Sequence, residues 1–387
     1  MRAFALALLL SGCSQFTDLL PSDGGTSDGD SSTCVAPGPP IELANQLHAP
    51  CAAALASQVL RYALCSCAAI VLPHGLFTDG GGKFMPVPPM ALPAAVGSDD
   101  YLQLGGPAQI GGALAAAGKE GVSFGRTTAV LGTVRSGGPL SANQFLSIAD
   151  DAFAAGDVLG RIDVGGRLHV PPDAFVPPSV NAELVREPVT VEPPCNCAAG
   201  PRLDVATVVA ARADHNSDGR IHLRADAFVG DSGPSALDLP CGEYYLSSLH
   251  TRAGAELELR VHGRVGLFVG GDVSLGTGLR VSLDGGSSLD LVVAGNFASQ
   301  SGTIGASTAA AVRLWVGGST VRLGDGAQLS ALLYAPSAVV LSDGDLNTTG
   351  ALYAQSFSVA GDVGVRFDPM VLGGGAECGG VMQPPVE

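Results

Sequence analysis

Apolar and polar positions alternate in short runs through most of the chain, and in its last third the runs repeat. Leu267-Phe268-Val269-Gly270-Gly271, Leu291-Val292-Val293-Ala294-Gly295, Leu314-Trp315-Val316-Gly317-Gly318, Leu333-Tyr334-Ala335-Pro336 and Leu352-Tyr353-Ala354-Gln355 are copies of one phrase, with leading leucines 24, 23, 19 and 19 residues apart. Most copies are followed by a short alternating strand: Val273-Ser274-Leu275, Val321-Arg322-Leu323, Val339-Val340-Leu341 and Phe357-Ser358-Val359. A period of roughly 20 residues made of short strands and glycine turns predicts a solenoid with one coil per repeat. The expected fold is all-β: a right-handed parallel β-helix (β-solenoid) over 241–378, with a short N-terminal helix and a second, weaker β-coil region.

The rest of the chain divides by pattern. From 41 to 72 the apolar residues Leu43, Leu47, Cys51, Leu55, Val59 and Tyr62 or Ala63 fall at helical spacing and predict a helical cap segment. Within 73–194, after irregular Pro- and Gly-rich chain, Ile110-Gly111, Leu131-Gly132 and Leu159-Gly160 open a fainter phrase at intervals of 21 and 28. That spacing reads as a shorter run of β-coils, with an ordinary antiparallel β-domain as the alternative. Proline pairs at 171/172, 177/178 and 193/194 predict extended chain there, with Val189–Val191 as an edge strand. Residues 195–240 then form a disulfide-pinned connector, and 379–387 a disordered tail.

The N-terminus adds a compartment. Met1-Arg2 is a minimal basic start, Ala3 to Leu10 is apolar, and Leu10-Ser11-Gly12-Cys13 follows. The segment is too short to span a bilayer and resembles a lipoprotein signal peptide, 1–12, ahead of a lipidated Cys13. Residues 13–40, rich in Ser, Gly, Asp and Pro, read as a flexible tether. The expected location is the cell envelope: lipid-anchored, at the outer membrane or surface of a Gram-negative bacterium.

Composition narrows the partners. Lys and Arg total 20 against 36 Asp and Glu, a net charge of −16, which repels nucleic-acid phosphates. Beyond Cys13 there are eight cysteines: Cys34, Cys51, Cys65, Cys67, Cys195, Cys197, Cys241 and Cys378. An even number in an exported chain predicts up to four disulfides. Cys241 and Cys378 flank the repeat and would staple its two ends if paired.

Cys195-x-Cys197, Leu239-Pro240-Cys241-Gly242, Val269-Gly270-Gly271-Asp272, Leu289-Asp290-Leu291-Val292-Val293-Ala294-Gly295, Leu333-Tyr334-Ala335-Pro336 and Arg366-Phe367-Asp368 occur together. In this the chain resembles an uncharacterised family of bacterial lipoproteins with a C-terminal β-solenoid domain, related to a domain of some pilus-assembly-associated proteins. The resemblance implies a β-solenoid in the cell envelope and carries no activity or catalytic residues.

Candidate chemistry is sparse. Asp214, Asn216 and Asp218, followed by Gly219 and with Asp226 nearby, have the spacing of a calcium loop, but position 12 is Ala225 rather than Glu. The competing reading is a local Asn/Asp/Gly turn. Asp272, Asp284, Asp290, Asp325, Asp343, Asp345 and Asp362 sit at or near turns, and Arg260, Arg264, Arg280, Arg313 and Arg322 point outward without forming an acid–base set. Trp315, Tyr334 and Tyr353 align within the repeat, either outside the coil, suiting sugars, or inside it, suiting packing; packing is the expected use. The functional expectation is a non-catalytic, lipid-anchored envelope protein whose rigid solenoid serves display, adhesion or contact with envelope proteins or polysaccharide, without a cofactor other than calcium at that loop. The alternatives are a β-helix carbohydrate-active enzyme and an end-to-end polymerising scaffold.

Overall fold

A computed structural model describes residues 38–43, 51–79, 94–198, 202–230, 233 and 235–378, the side chains of 374–377 excepted. The segment expected as a signal peptide (1–12), Cys13, Cys34, nearly all of the expected tether and the expected tail lie outside the described residues.

The repeating leucines are a physical column. Leu267, Leu291, Leu314, Leu333 and Leu352 lie side by side in parallel register, and all are buried. The column continues through Leu64, Val96, Leu114 and Val134. Every ladder is parallel, and together they make a β-solenoid of about 13 turns. At 4.7–4.9 Å per strand the stack is roughly 60 Å long.

The coil has three flat faces. Leu64–Ser66 and Val96–Ser98 lie on the first, Ile70–Leu72 and Leu102–Leu104 on the second, Leu76–Asp79 and Ala108–Ile110 on the third. A strand such as Leu102-Gln103-Leu104 turns its outer two side chains inward and the middle one to solvent, the period-2 pattern of a pleated strand. Small interior residues such as Ala152 and Ala154 keep the coil narrow.

Carboxylates at the corners join one coil to the next. Asp272 Oδ1 accepts from the Asn296 amide at 2.7 Å, Asp345 Oδ1 from Asp362 at 2.9 Å, and Asp151 Oδ1 from Arg167 at 2.8 Å. Above each carboxylate sits a glycine, Gly295, Gly361 and Gly166, where a Cβ would collide with the oxygen. The Asp beside Gly in the sequence is thus an inter-coil staple as well as a turn residue.

The order of the coils differs from the order of the chain. The first coil, starting at Leu64–Ser66, is laid on the strand Leu346–Val359, and Leu76–Asp79 on Val363–Phe367. From there the chain climbs to Val180–Arg186 at one end of the stack. It then returns to start again at Ala236–Leu246 at the other end and climbs back to the middle. The two β regions are therefore two modules, 64–198 and 202–371, of one solenoid, joined by the ladders that lay the first coil of one on the last coil of the other.

Several expectations are corrected. Among the described residues of 41–72, helix is confined to Ala52–Val59; from Leu64 on the chain forms the first coil, with Leu64, Ile70 and Leu72 as interior positions. Val189–Val191 is not a strand, and the edge strand is Val180–Arg186 instead. The faint repeat does not stack: Ile110 pairs with Val130, while Leu131 and Leu159 are 55% and 44% exposed. The connector expected over 195–240 is shared out, 195–198 going to the first module and 202–235 to the second. Cys378 pairs with Cys51, not Cys241.

Candidate functional site

Covalent and polar links concentrate at the plane between the two modules. Cys65 and Cys67, on the first face of the first coil, form disulfides with Cys195 and Cys197, with Cα separations of 5.7 and 5.4 Å. The Cys51–Cys378 bond ties the segment just ahead of the first coil to the end of the second module. Cys241 is also disulfide-bonded. Asn196, between the paired cysteines, has φ of 48°, a conformation Asn tolerates. This turn lets two consecutive odd amides point one way: Cys195 N–H donates to Asp99 Oδ1 at 2.7 Å and Cys197 N–H to Asp99 Oδ2 at 2.8 Å. The arrangement is a backbone cradle for a carboxylate, filled by the chain's own aspartate. Gly97 leaves room for the disulfide above it: a Cβ there would lie 3.0 Å from Cys65 Sγ and 3.1 Å from Cys195 Sγ.

The second module meets this clasp with aromatic side chains. Trp315, Tyr334 and Tyr353 stack along the outside of the first face, with ring centroids 5.4 and 5.0 Å apart. They lie outside the coil, yet all three are buried, because residues 202–212 are laid over them. Leu203 N–H donates to Tyr334 Oη at 3.2 Å, and Tyr353 Oη donates to the Cys195 carbonyl at 3.0 Å and lies 3.1 Å from Cys197 Sγ. Burial pushes both tyrosine hydroxyls above their ordinary range. Arg202 spans the plane, donating to the carbonyls of Cys197 and Pro336. Lower down, Arg212 lies over Phe268 at 5.5 Å and pairs with Glu243 at 2.6 Å. The aromatic column is a packing surface under a cover, not an open sugar platform.

A buried ion pair sits beside this column. Arg313 Nε and Nη2 donate to Asp290 at 2.7 and 2.9 Å, and Trp315 Nε1 donates to the same carboxylate at 2.9 Å. Asp290 is in mid-strand and fully buried, and Arg313 is almost so. Arg313 was expected to point outward and Asp290 to lie at or near a turn. An Asp in Leu-Asp-Leu-Val-Val and an Arg in Val-Arg-Leu-Trp carry the outward parity of their strands; only the cover at 202–212 and the helix Ala52–Val59 make that outside an inside. Of the other arginines, Arg280 and Arg322 pair along the stack, with Glu256 at 3.0 Å and Asp343 at 2.9 Å, while Arg260 pairs with Glu258 of its own strand and Arg264 donates to the Gly38 carbonyl.

Residues 214–226 cap the far end of the second module. Asp218 opens the short helix Asp218–Ile221, is buried, and accepts from the Tyr245 amide at 2.9 Å; burial raises its carboxyl above the ordinary range despite that bond. Asn216 Oδ1 accepts from the Asp218 amide. Asp226 binds the Arg224 guanidinium with both oxygens, and Asp214 is exposed. Among the described residues, no three His, Cys, Asp or Glu are grouped to hold a metal ion. One acid–histidine set escaped the sequence reading: His262 lies between Asp238, at 2.8 Å from Nε2, and Asp284, at 2.5 Å from Nδ1. The three come from successive coils, so only the stacking register could have revealed them.

Residues 202–373 match the family described as Domain of unknown function (DUF7305), and its limits coincide with the second module and its cover. No curated protein and no solved structure matches the chain.

Proposed function

We propose that the protein is a lipid-anchored, non-catalytic component of a bacterial cell envelope, whose solenoid acts by presenting flat faces to envelope proteins or polysaccharide. The observation that carries this reading is the make-up of the outward columns. On the second face Gln103, Ser123 and Ser141 stand one above another; on the third, Gln109, Ala129 and Ser147 do the same. In the second module Gln328 aligns with Asn347 and Ser330 with Thr349. Short neutral side chains held at strand spacing form a stiff, regular contact surface with little entropy to lose on binding. The Leu10-Ser11-Gly12-Cys13 phrase supplies the anchor in this reading.

Two experiments test it. Cys13→Ala should release the protein from membranes and abolish fatty-acid labelling; unchanged retention contradicts the anchor. The purified body should bind members of a panel of envelope polysaccharides and proteins, with and without calcium, and turn none over. Turnover lost on a single Asp→Asn change would replace binding with catalysis.

A further inference from the structure

The two ends of the stack are finished differently. At the end formed by Ala236–Leu246, the cap is bonded to the coil backbone. The Ser217 amide donates to the Glu243 carbonyl at 2.6 Å, the Ser247 amide to the Ala225 carbonyl at 2.7 Å and the His250 amide to the Phe228 carbonyl at 3.0 Å. Asp218 takes the Tyr245 amide, and Phe228 is fully buried.

The opposite end, the coil 175–186, has no such cover among the described residues. Its strand Val180–Arg186 pairs with Val158–Val170 alone, and the Phe175 carbonyl accepts from the Val158 amide, which sets Val176 over Val158. Val176, Val180 and Leu184 thus continue the interior columns of Val158, Ile162 and Leu168. Those three partners are buried, whereas Leu184 is 42% exposed and Val176 and Val180 are half-buried. The fourth interior position, Arg186 over Val170, spends its guanidinium on the carbonyls of Pro171, Pro172 and Ala174. The apolar columns therefore end unfinished, beside a strand edge that has no partner.

Such an end is completed by a surface with apolar columns at the same three positions and free strand edges on the same faces. The capped end of this chain cannot supply it, so copies do not stack head to tail. The matching surface is the same end of a second copy. We infer that the open ends of two copies meet about a two-fold axis and close a dimer rather than a fibre. The axis runs through the first face, which has the longest free edge, Glu183–Arg186. There each strand pairs antiparallel with its copy, centred on Leu184, so that the two leucines meet and Glu183 faces Val185. Centring on Glu183 would oppose two carboxylates, which repel. The second and third faces then exchange, and Val176 of one copy meets Val180 of the other. The contact uses the end of the stack, not the outward faces assigned above, and stands without that assignment.

About a dozen residues a side is fewer than the roughly 20–30 of a standard interface, so the dimer should be weak, with Kd on the order of 10 µM. Sedimentation equilibrium of the oxidised Cys13→Ala chain should show monomer and dimer exchanging around that concentration. Leu184→Lys should weaken the dimer at least tenfold and leave the melting temperature unchanged, because the side chain sits on the outermost coil. The register is read separately by mixing chains carrying Glu183→Cys with chains carrying Val185→Cys under mild oxidation. Disulfide-linked heterodimer should exceed the linked homodimer of either variant alone. Monomer alone up to about 1 mM, species growing beyond the dimer, a dimer indifferent to Leu184→Lys, or equal linking in all three mixtures overturns the inference.

Discussion

Leu64 lies in parallel register with Leu352, so the first coil of the chain rests on the last coil made by it. A solenoid can be assembled in this order because each coil needs only a neighbour of matching cross-section, and both modules have the same three faces. The arrangement places three cysteine pairs and a buried aromatic column where the backbone of the stack is interrupted, and it leads to specific expectations.

Gly97→Val should break the Cys65–Cys195 bond, since the space over Gly97 is taken by its sulfurs and by Pro194. Thiol labelling of the denatured, unreduced protein should find two more reactive cysteines than in the wild type. Thermal stability should fall, by about 2–4 kcal/mol for a lost disulfide. An unlabelled, equally stable variant would contradict the assigned packing.

Asp290→Ala removes the acceptor of both Arg313 and Trp315 inside the covered face. Removing one partner of a buried pair costs about 3–5 kcal/mol, whereas replacing both by apolar residues costs far less. Urea unfolding followed by the fluorescence of Trp315, the chain's single tryptophan, should show a large loss for Asp290→Ala and a much smaller one for Asp290→Leu/Arg313→Met. Equal losses would refute the ion pair's place in the core.

Stability should depend on pH through His262. Its pKa is raised above 6.5, first by the hydrogen bond to Asp284 and then by the charges of Asp238 and Asp284, against some desolvation. A raised folded pKa means the contribution is complete below pH 6.5 and is lost as pH rises through the folded value. Melting temperature should therefore decline above pH 6.5, and His262→Gln should flatten that decline. A titration of the imidazole at or below 6.5 would be inconsistent with the Asp238–His262–Asp284 ladder.

Thr348 points into the coil, and its hydroxyl is buried with no hydrogen-bond partner among the described residues. Thr348→Val keeps the shape and removes the unpaired group, so it should stabilise the protein by about 1 kcal/mol. A loss of similar size in chemical denaturation would place a partner at that oxygen.

The C-terminal coils were legible in the sequence because their leucine phrase recurs on one face, and it is that face's interior column. In the first module each face carries the same apolar-x-apolar triplet, so a match between Ile110, Leu131 and Leu159 slips one residue past Val130, the true partner of Ile110, and then changes face. The cysteines were countable, but their pairing depends on the chain at 195–197 returning to the first coil and on the end of the second module meeting the start of the first, which no spacing encodes. Arg313 was assigned outward and Asp290 to a turn; both carry outward parity, and their burial came from the cover at 202–212 and the helix Ala52–Val59, far upstream in sequence. The calcium-like spacing at 214–218 was real as a pattern, and the structure spends it on an end cap.

The junction between the two modules also gives the stack a joint. Residues 60–63 cross the plane as a covalent strap, and the ladders across it lie on two faces, whereas the next plane within the first module has ladders on all three. Tension along the axis should open that plane first, and the strap at 60–63 should stop the opening after a travel on the order of 10 Å, set by the length of four extended residues. Single-molecule pulling on the oxidised chain should record this short extension ahead of unfolding, and its absence would mean the plane is no weaker than its neighbours. A stalk built this way yields slightly under load and recovers, because the parted modules remain aligned for re-pairing.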